Sequence, residues 1–139
     1  MTSLTGRSYS PSLGAVRGAE SGRAKTIALW ILQAGAAVLF LFAGSSKLLG
    51  TAVMVQLFDT IGIGQWFRYL TGGIEVVAGL SLLVPSLTFY AALALAVTMA
   101  GAIVTHLFIA GGSPAPAIVL LAVTAVVAWN RRPHAWRTL

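Results

Sequence analysis

Residues 26–48 read TIALWILQAGAAVLFLFAGSSKL, and from Thr26 to Gly44 only Gln33 interrupts the apolar run. Crossing a hydrocarbon layer about 30 Å thick takes roughly 20 such residues in a helix. A cleaved secretory leader is the competing reading: Lys25 supplies a basic flank, and Ala43, Gly44 and Ser45 would serve as a cleavage site. Leaders usually carry only about 7–15 apolar residues, however. The longer run here reads as a retained membrane helix.

The rest of the chain supports that reading. Of its 139 residues 58% are hydrophobic and 9% charged, with a mean hydropathy of +0.89, whereas soluble domains carry about 25% charged residues. Three further spans follow, at about 68–84 before Pro85, about 87–110, and about 116–130 before NRRP. GGSPAP at 111–116 turns the chain between the last two. The second and fourth spans are short against the length a bilayer requires. Between the first and second, GTAVMVQLFDTIGIGQWF (50–67) sets Val53, Met54, Leu57, Phe58 and Ile61 at helical spacing, with Gln56, Asp59 and Thr60 opposite. The pattern predicts a short amphipathic helix on the outer face. Asp59 reads as part of its solvated side. The fold class is therefore all-α, a four-helix integral membrane bundle with a short outer amphipathic helix between helices 1 and 2.

Charge sets the orientation. The net charge is +6. Arg7, Arg17, Arg23 and Lys25 face only Glu20 before the first span, and Arg131, Arg132 and Arg137 follow the last, while Lys47 and Arg68 balance Asp59 and Glu75 between them. Basic excess marks cytoplasmic flanks, so four spans place both termini in the cytoplasm of a multi-pass plasma-membrane protein. Trp30, Tyr90 and Trp129 then fall at the inner interface, Trp66 and Tyr69 at the outer one. The domains read as a flexible cytoplasmic tail (1–24), a transmembrane domain (25–131) and a basic tail (132–139) that includes His134 and Trp136. Such sparse, terminal charges serve topology and do not form a nucleic-acid surface; the partner they imply is the lipid bilayer.

Within TGGIEVVAGL (71–80), Glu75 is the sole charged residue between Tyr69 and Trp129. A charged side chain at the centre of a membrane helix costs roughly 2.5–3.5 kcal/mol on insertion scales, so Glu75 needs a partner. It lies seven residues inside Arg68, about 10 Å at 1.5 Å per residue. Lys47 ends the first span, and His106 is about 6 Å inside the outer end of the third by the same rise. Three helices thus bring Lys47, Glu75 and His106 to similar depth on one side. Gly72 and Gly79 share the Glu75 stripe, and Gly44 lies one turn before Lys47, so small residues allow close helix approach beside the cluster. One reading of the cluster is structural, a buried pair that sets helix register with His106 as a hydrogen-bonding neighbour. The other is a pocket for a polar head group, a proton or a quinone ring. Gln33 reads as a hydrogen-bonding link between helices.

FLFAGSSKLLG (40–50), TGGIEVVAGLSLLV (71–84) and GAIVTHL (101–107) together resemble the DoxX family of small four-helix membrane proteins. Lys47, Glu75 and, less closely, His106 match its polar positions, and the likeness runs over about 26–130. Founding members are associated with a thiosulfate:quinone oxidoreductase as small membrane subunits, and mycobacterial relatives with a sulfurtransferase and superoxide dismutase in oxidative-stress defence. The resemblance implies a subunit of a membrane redox or sulfur-metabolism complex, with other membrane or peripheral redox proteins, or a second copy of the chain, as partners. With no cysteine and two histidines, the chain lacks the ligands for an iron–sulfur cluster, a Cys-type zinc site or a bis-His haem inside the membrane. The expectation is no metal, no covalent cofactor, a diffusible quinone as the ligand, and no catalysis by this chain alone. A non-catalytic scaffold or assembly factor is the alternative, and a small transporter a weaker one.

Overall fold

A computed structural model describes residues 12–133; Arg7, His134, Trp136 and Arg137 lie outside the described residues. All regular structure among them is helical: α1 (Leu13–Leu48), α2 (Ala52–Ile61), α3 (Gln65–Ser81), α4 (Thr88–Thr105), which a π-helical turn (His106–Ala110) extends, and α5 (Ala115–Arg131). Helix α1 packs on α3, α3 on α4, α4 on α5 and α5 back on α1.

The buried stripes have helical spacing. On α1 they are Gln33, Ala36, Ala37, Phe40 and Gly44. On α3 they are Arg68, Gly72, Glu75, Ala78 and Gly79. Facing them are Ala91, Ala92, Leu95 and Met99 of α4 and Val127 of α5. The interior thus sets a few large apolar residues, Phe40, Leu82, Leu95 and Met99, among small and polar ones, while many large apolar residues face outward, with Phe42 76% and Phe108 79% exposed. Water does not tolerate apolar exteriors of this extent. Two helices, Leu13–Leu48 and Thr88–Ala110, are long and apolar enough to cross a membrane, and their apolar windows are only 28% and 17% buried. Core helices of a soluble domain that are equally long and apolar are mostly buried. Helices α3 and α5 have 17 residues each, about 25 Å of rise.

Two boundaries differ from the sequence reading. Residues 13–24, expected to be an irregular tail, are helical and exposed. Leu13, Ala15, Arg17, Ala19, Glu20 and Ala24 are good helix formers, and extending an existing helix needs no new nucleus. Helix α3 starts earlier and stops at Ser81, ahead of Pro85. The Leu82 carbonyl left over there accepts from Gln33 Nε2 at 2.8 Å and from Thr88 Oγ1 at 3.1 Å. Gln33 Oε1 in turn accepts from Arg131 Nε at 2.8 Å. Fully buried Gln33 therefore joins α1, the end of α3 and α5.

The α2 helix packs on α3 and on the π-helical turn. Of its predicted apolar face Phe58 is buried, but Val53 is 70% exposed. The helices close tightly around Phe40, Leu82, Leu95 and Val127. Toward the other end they part, and all five helices line a cavity of about 520 Å³.

Candidate functional site

The cavity is walled mainly by apolar side chains, among them Met54, Phe58, Ile74 and Leu120. Its polar feature is an ion pair. Lys47 Nζ donates to Glu75 Oε2 at 2.7 Å, with the lysine side chain 15% and the glutamate 2% exposed. Lys47 ends α1, and Glu75 sits mid-way along α3. They meet because the two backbones nearly touch. A Cβ on Gly44 would lie 2.8 Å from the Gly72 carbonyl oxygen, and one on Gly72 would lie 2.9 Å from Lys47 Cβ. Gly79 packs against Phe40 further along the same crossing, where a Cβ would sit at 3.3 Å. Only glycine permits the approach at Gly44 and Gly72.

Arg68 completes the polar end, and sequence reasoning treated it only as a marker of the outer surface. It is 4% exposed. Its Nη1 donates to the Lys47 carbonyl at the end of α1. Its Nε donates to Gln65 Oε1 at 2.6 Å, and Gln65 Nε2 donates to Asp59 Oδ1 at 2.7 Å and to the Val55 carbonyl at 3.0 Å. Gly50, at φ +69, lets the chain turn beneath the guanidinium, 3.3 Å from where its Cβ would be. Asp59 is exposed as expected, yet it anchors this chain of bonds from α2 through α3 to α1. The available signal was spacing: Arg68, Gly72 and Glu75 stand at i, i+4 and i+7 on one stripe.

His106 lines the same cavity but bonds to neither Lys47 nor Glu75. Its Nδ1 lies 2.9 Å from the Gly111 carbonyl oxygen, closing the π-helical turn onto the loop. A carbonyl only accepts, so Nδ1 is the donor in this contact. Single-turn π-helical stretches are frequent at functional sites. No group of three or more His, Cys, Asp or Glu side chains that would hold a metal ion occurs among the described residues.

The fold and site define a class: a small helical membrane protein with a charged pair set into the wall of an apolar cavity. A family model described as the DoxX-like family matches residues 31–130. The chain belongs to the DoxX-like family. Comparison with curated proteins and with solved structures finds no match.

Proposed function

We propose that this protein binds the ring of a lipid-soluble quinone beside Lys47 and Glu75. In this reading it is a four-helix, multi-pass plasma-membrane protein with both termini in the cytoplasm. It serves as a small subunit of a redox or sulfur-metabolism complex whose electron-carrying groups sit on partner chains. The observation that carries the reading is the Lys47–Glu75 pair, its carboxylate buried, on the wall of a mainly apolar cavity of about 520 Å³. Ligand sites of about 300–1,000 Å³ with a few converging polar groups are the usual form of small-molecule pockets, and ionisable groups inside a membrane domain are functional candidates by default.

The polar inventory suits a quinone head. The lysine ammonium has three donors and spends one on Glu75, leaving donors for a ring carbonyl. The second carboxylate oxygen of Glu75 is an acceptor suited to a hydroxyl of the reduced ring, with His106 on the same cavity wall. A scaffold reading draws on a different observation: Arg68 and the Gly44–Gly72 contact tie the same pair into helix register.

The test is purification from native membranes in mild detergent, with extracted lipids and captured proteins measured for wild type and Glu75→Gln. Melting is then followed with a short-chain benzoquinone and a short-chain naphthoquinone. Co-extracted quinone and a ligand-raised melting temperature, both lost in Glu75→Gln, are expected. A folded wild-type protein that carries no quinone and answers to neither analogue refutes the reading. Partner capture lost in Glu75→Gln, with no quinone in either protein, favours the scaffold.

A further inference from the structure

The ion pair shows little surface, the lysine side chain 15% and the glutamate 2% exposed, so access to it depends on which wall of the cavity moves. Helices α1, α3, α4 and α5 all give residues to the core around Phe40, Leu82, Leu95 and Val127; among the described residues α2 gives none. It covers the cavity with one face, Met54, Leu57, Phe58 and Ile61 at i, i+3, i+4 and i+7. On its other side Val53, Gln56, Asp59 and Thr60 are exposed.

Both ends of α2 are glycine turns. Gly50 (φ +69) precedes it, and Gly62 (φ +78) and Gly64 (φ +107) follow it. A Cβ on Gly62 would meet nothing within 4 Å, so the left-handed backbone, and not close packing, calls for glycine there. Hinges are a few loop or element-terminal residues that absorb a change in φ and ψ, and these two turns bracket a rigid piece of 10 residues. Among the described residues, the side-chain hydrogen bonds from α2 to the bundle all run to Gln65. Its Nε2 donates to the Val55 carbonyl at 3.0 Å and to Asp59 Oδ1 at 2.7 Å, and its Oε1 accepts from Arg68 Nε at 2.6 Å. Phe58 adds an edge-on contact with Phe67, 5.9 Å between ring centres.

We propose that α2 is a lid over the Lys47–Glu75 cavity, hinged at Gly50 and at Gly62–Gly64 and latched by Gln65. This rests on the quinone-ring reading above and adds the route of the ring: it enters under α2, at the end of the bundle that carries Lys47. Swinging α2 outward uncovers Lys47, Thr71 and Glu75 without parting the four helices that share the core. The latch is tied to the site, because Arg68 holds Gln65 through Nε and the Lys47 carbonyl through Nη1.

The chain has no cysteine, so a single introduced thiol reports alone. Thr71→Cys places it on the cavity wall one turn before Glu75. Val127→Cys, in a separate protein, places it in the core. The experiment measures the rate at which a water-soluble maleimide modifies each full chain in lipid nanodiscs, with Gln65 intact or as Gln65→Leu. Each is repeated with a short-chain benzoquinone whose ring positions are all substituted, so that it does not itself react with the thiol. Gln65→Leu should speed modification at Thr71→Cys about tenfold, as the loss of a hydrogen bond to a carboxylate from the shut state requires, and leave Val127→Cys unchanged. Asp59→Ala removes the same acceptor from an exposed position and should act in the same direction. The quinone should slow modification at Thr71→Cys. A Thr71→Cys rate indifferent to both latch variants, or one that rises no more than Val127→Cys does, overturns the lid, and protection by the quinone in that case keeps the ring site. A tenfold rise with no protection by the quinone keeps the lid and overturns the ring.

Discussion

Lys47→Met isolates the Glu75 carboxylate and tests how far the pair is removed from water. Exposed ion pairs are worth about 0.2–1 kcal/mol, whereas breaking a buried pair by removing one partner costs about 3–5 kcal/mol. Glu75 is 2% exposed and Lys47 15%, so the carboxylate lies at the buried limit and the ammonium slightly short of it. The expected loss is therefore near the lower bound, about 3 kcal/mol, a fall in melting temperature on the order of 10 °C for a chain of this size. The double variant Lys47→Met with Glu75→Leu removes both charges and leaves apolar groups of similar volume, and it should recover about 2 kcal/mol or more of that loss. Tryptophan fluorescence during heating in detergent measures both, alongside Glu75→Leu alone to complete the cycle. A loss from Lys47→Met of only about 0.6 kcal/mol, the average polar contact between helices in one membrane protein, would refute the reasoning. So would a double variant no more stable than Lys47→Met.

Other consequences follow from the same geometry. Gly44→Ala forces a contact of 2.8 Å against the Gly72 carbonyl and should cost about 1–3 kcal/mol, while Gly73→Ala, with open space around it, should be neutral or slightly stabilising in the same melting assay. Gln33→Leu leaves Arg131 Nε without its acceptor and removes one donor from the Leu82 carbonyl; a loss of about 1–3 kcal/mol is expected, measurable by denaturant titration in detergent. Arg68→Ala frees the Lys47 carbonyl, and amide exchange at Leu48–Thr51 should speed up at a cost of about 1.5–3 kcal/mol for a charge-assisted bond.

Much of the architecture follows from local rules that a sequence displays. The apolar runs locate α1 and α4, and the 3.6-residue stripe of Gly72, Glu75 and Gly79 locates the inner face of α3. Counting rise per residue brings Lys47 and Glu75 to one depth, and they lie 2.7 Å apart. Depth alone is silent about direction, which is why His106 reaches the same cavity yet turns its Nδ1 to Gly111. Arg68 was hidden because a charge at a helix end ordinarily reads as solvated; its burial depends on where the α1–α2 turn lies in space. Likewise α2 shows its amphipathic spacing in sequence but not the surface it covers. The early start of α1 escaped because residues 13–24 carry no apolar periodicity to detect, and their helicity is inherited from the span that follows.

The contact between Gly44 and Gly72 has a bearing on how such a chain can change over generations. The same two hydrogens that let α1 and α3 touch also set the gap that the Lys47–Glu75 pair spans. A methyl group at either position does not merely loosen the crossing; it moves an ammonium away from a carboxylate. Packing and the charged pair are thus one inherited trait at this crossing, whereas the α2, α4 and α5 walls of the cavity can vary without touching the Gly44–Gly72 contact.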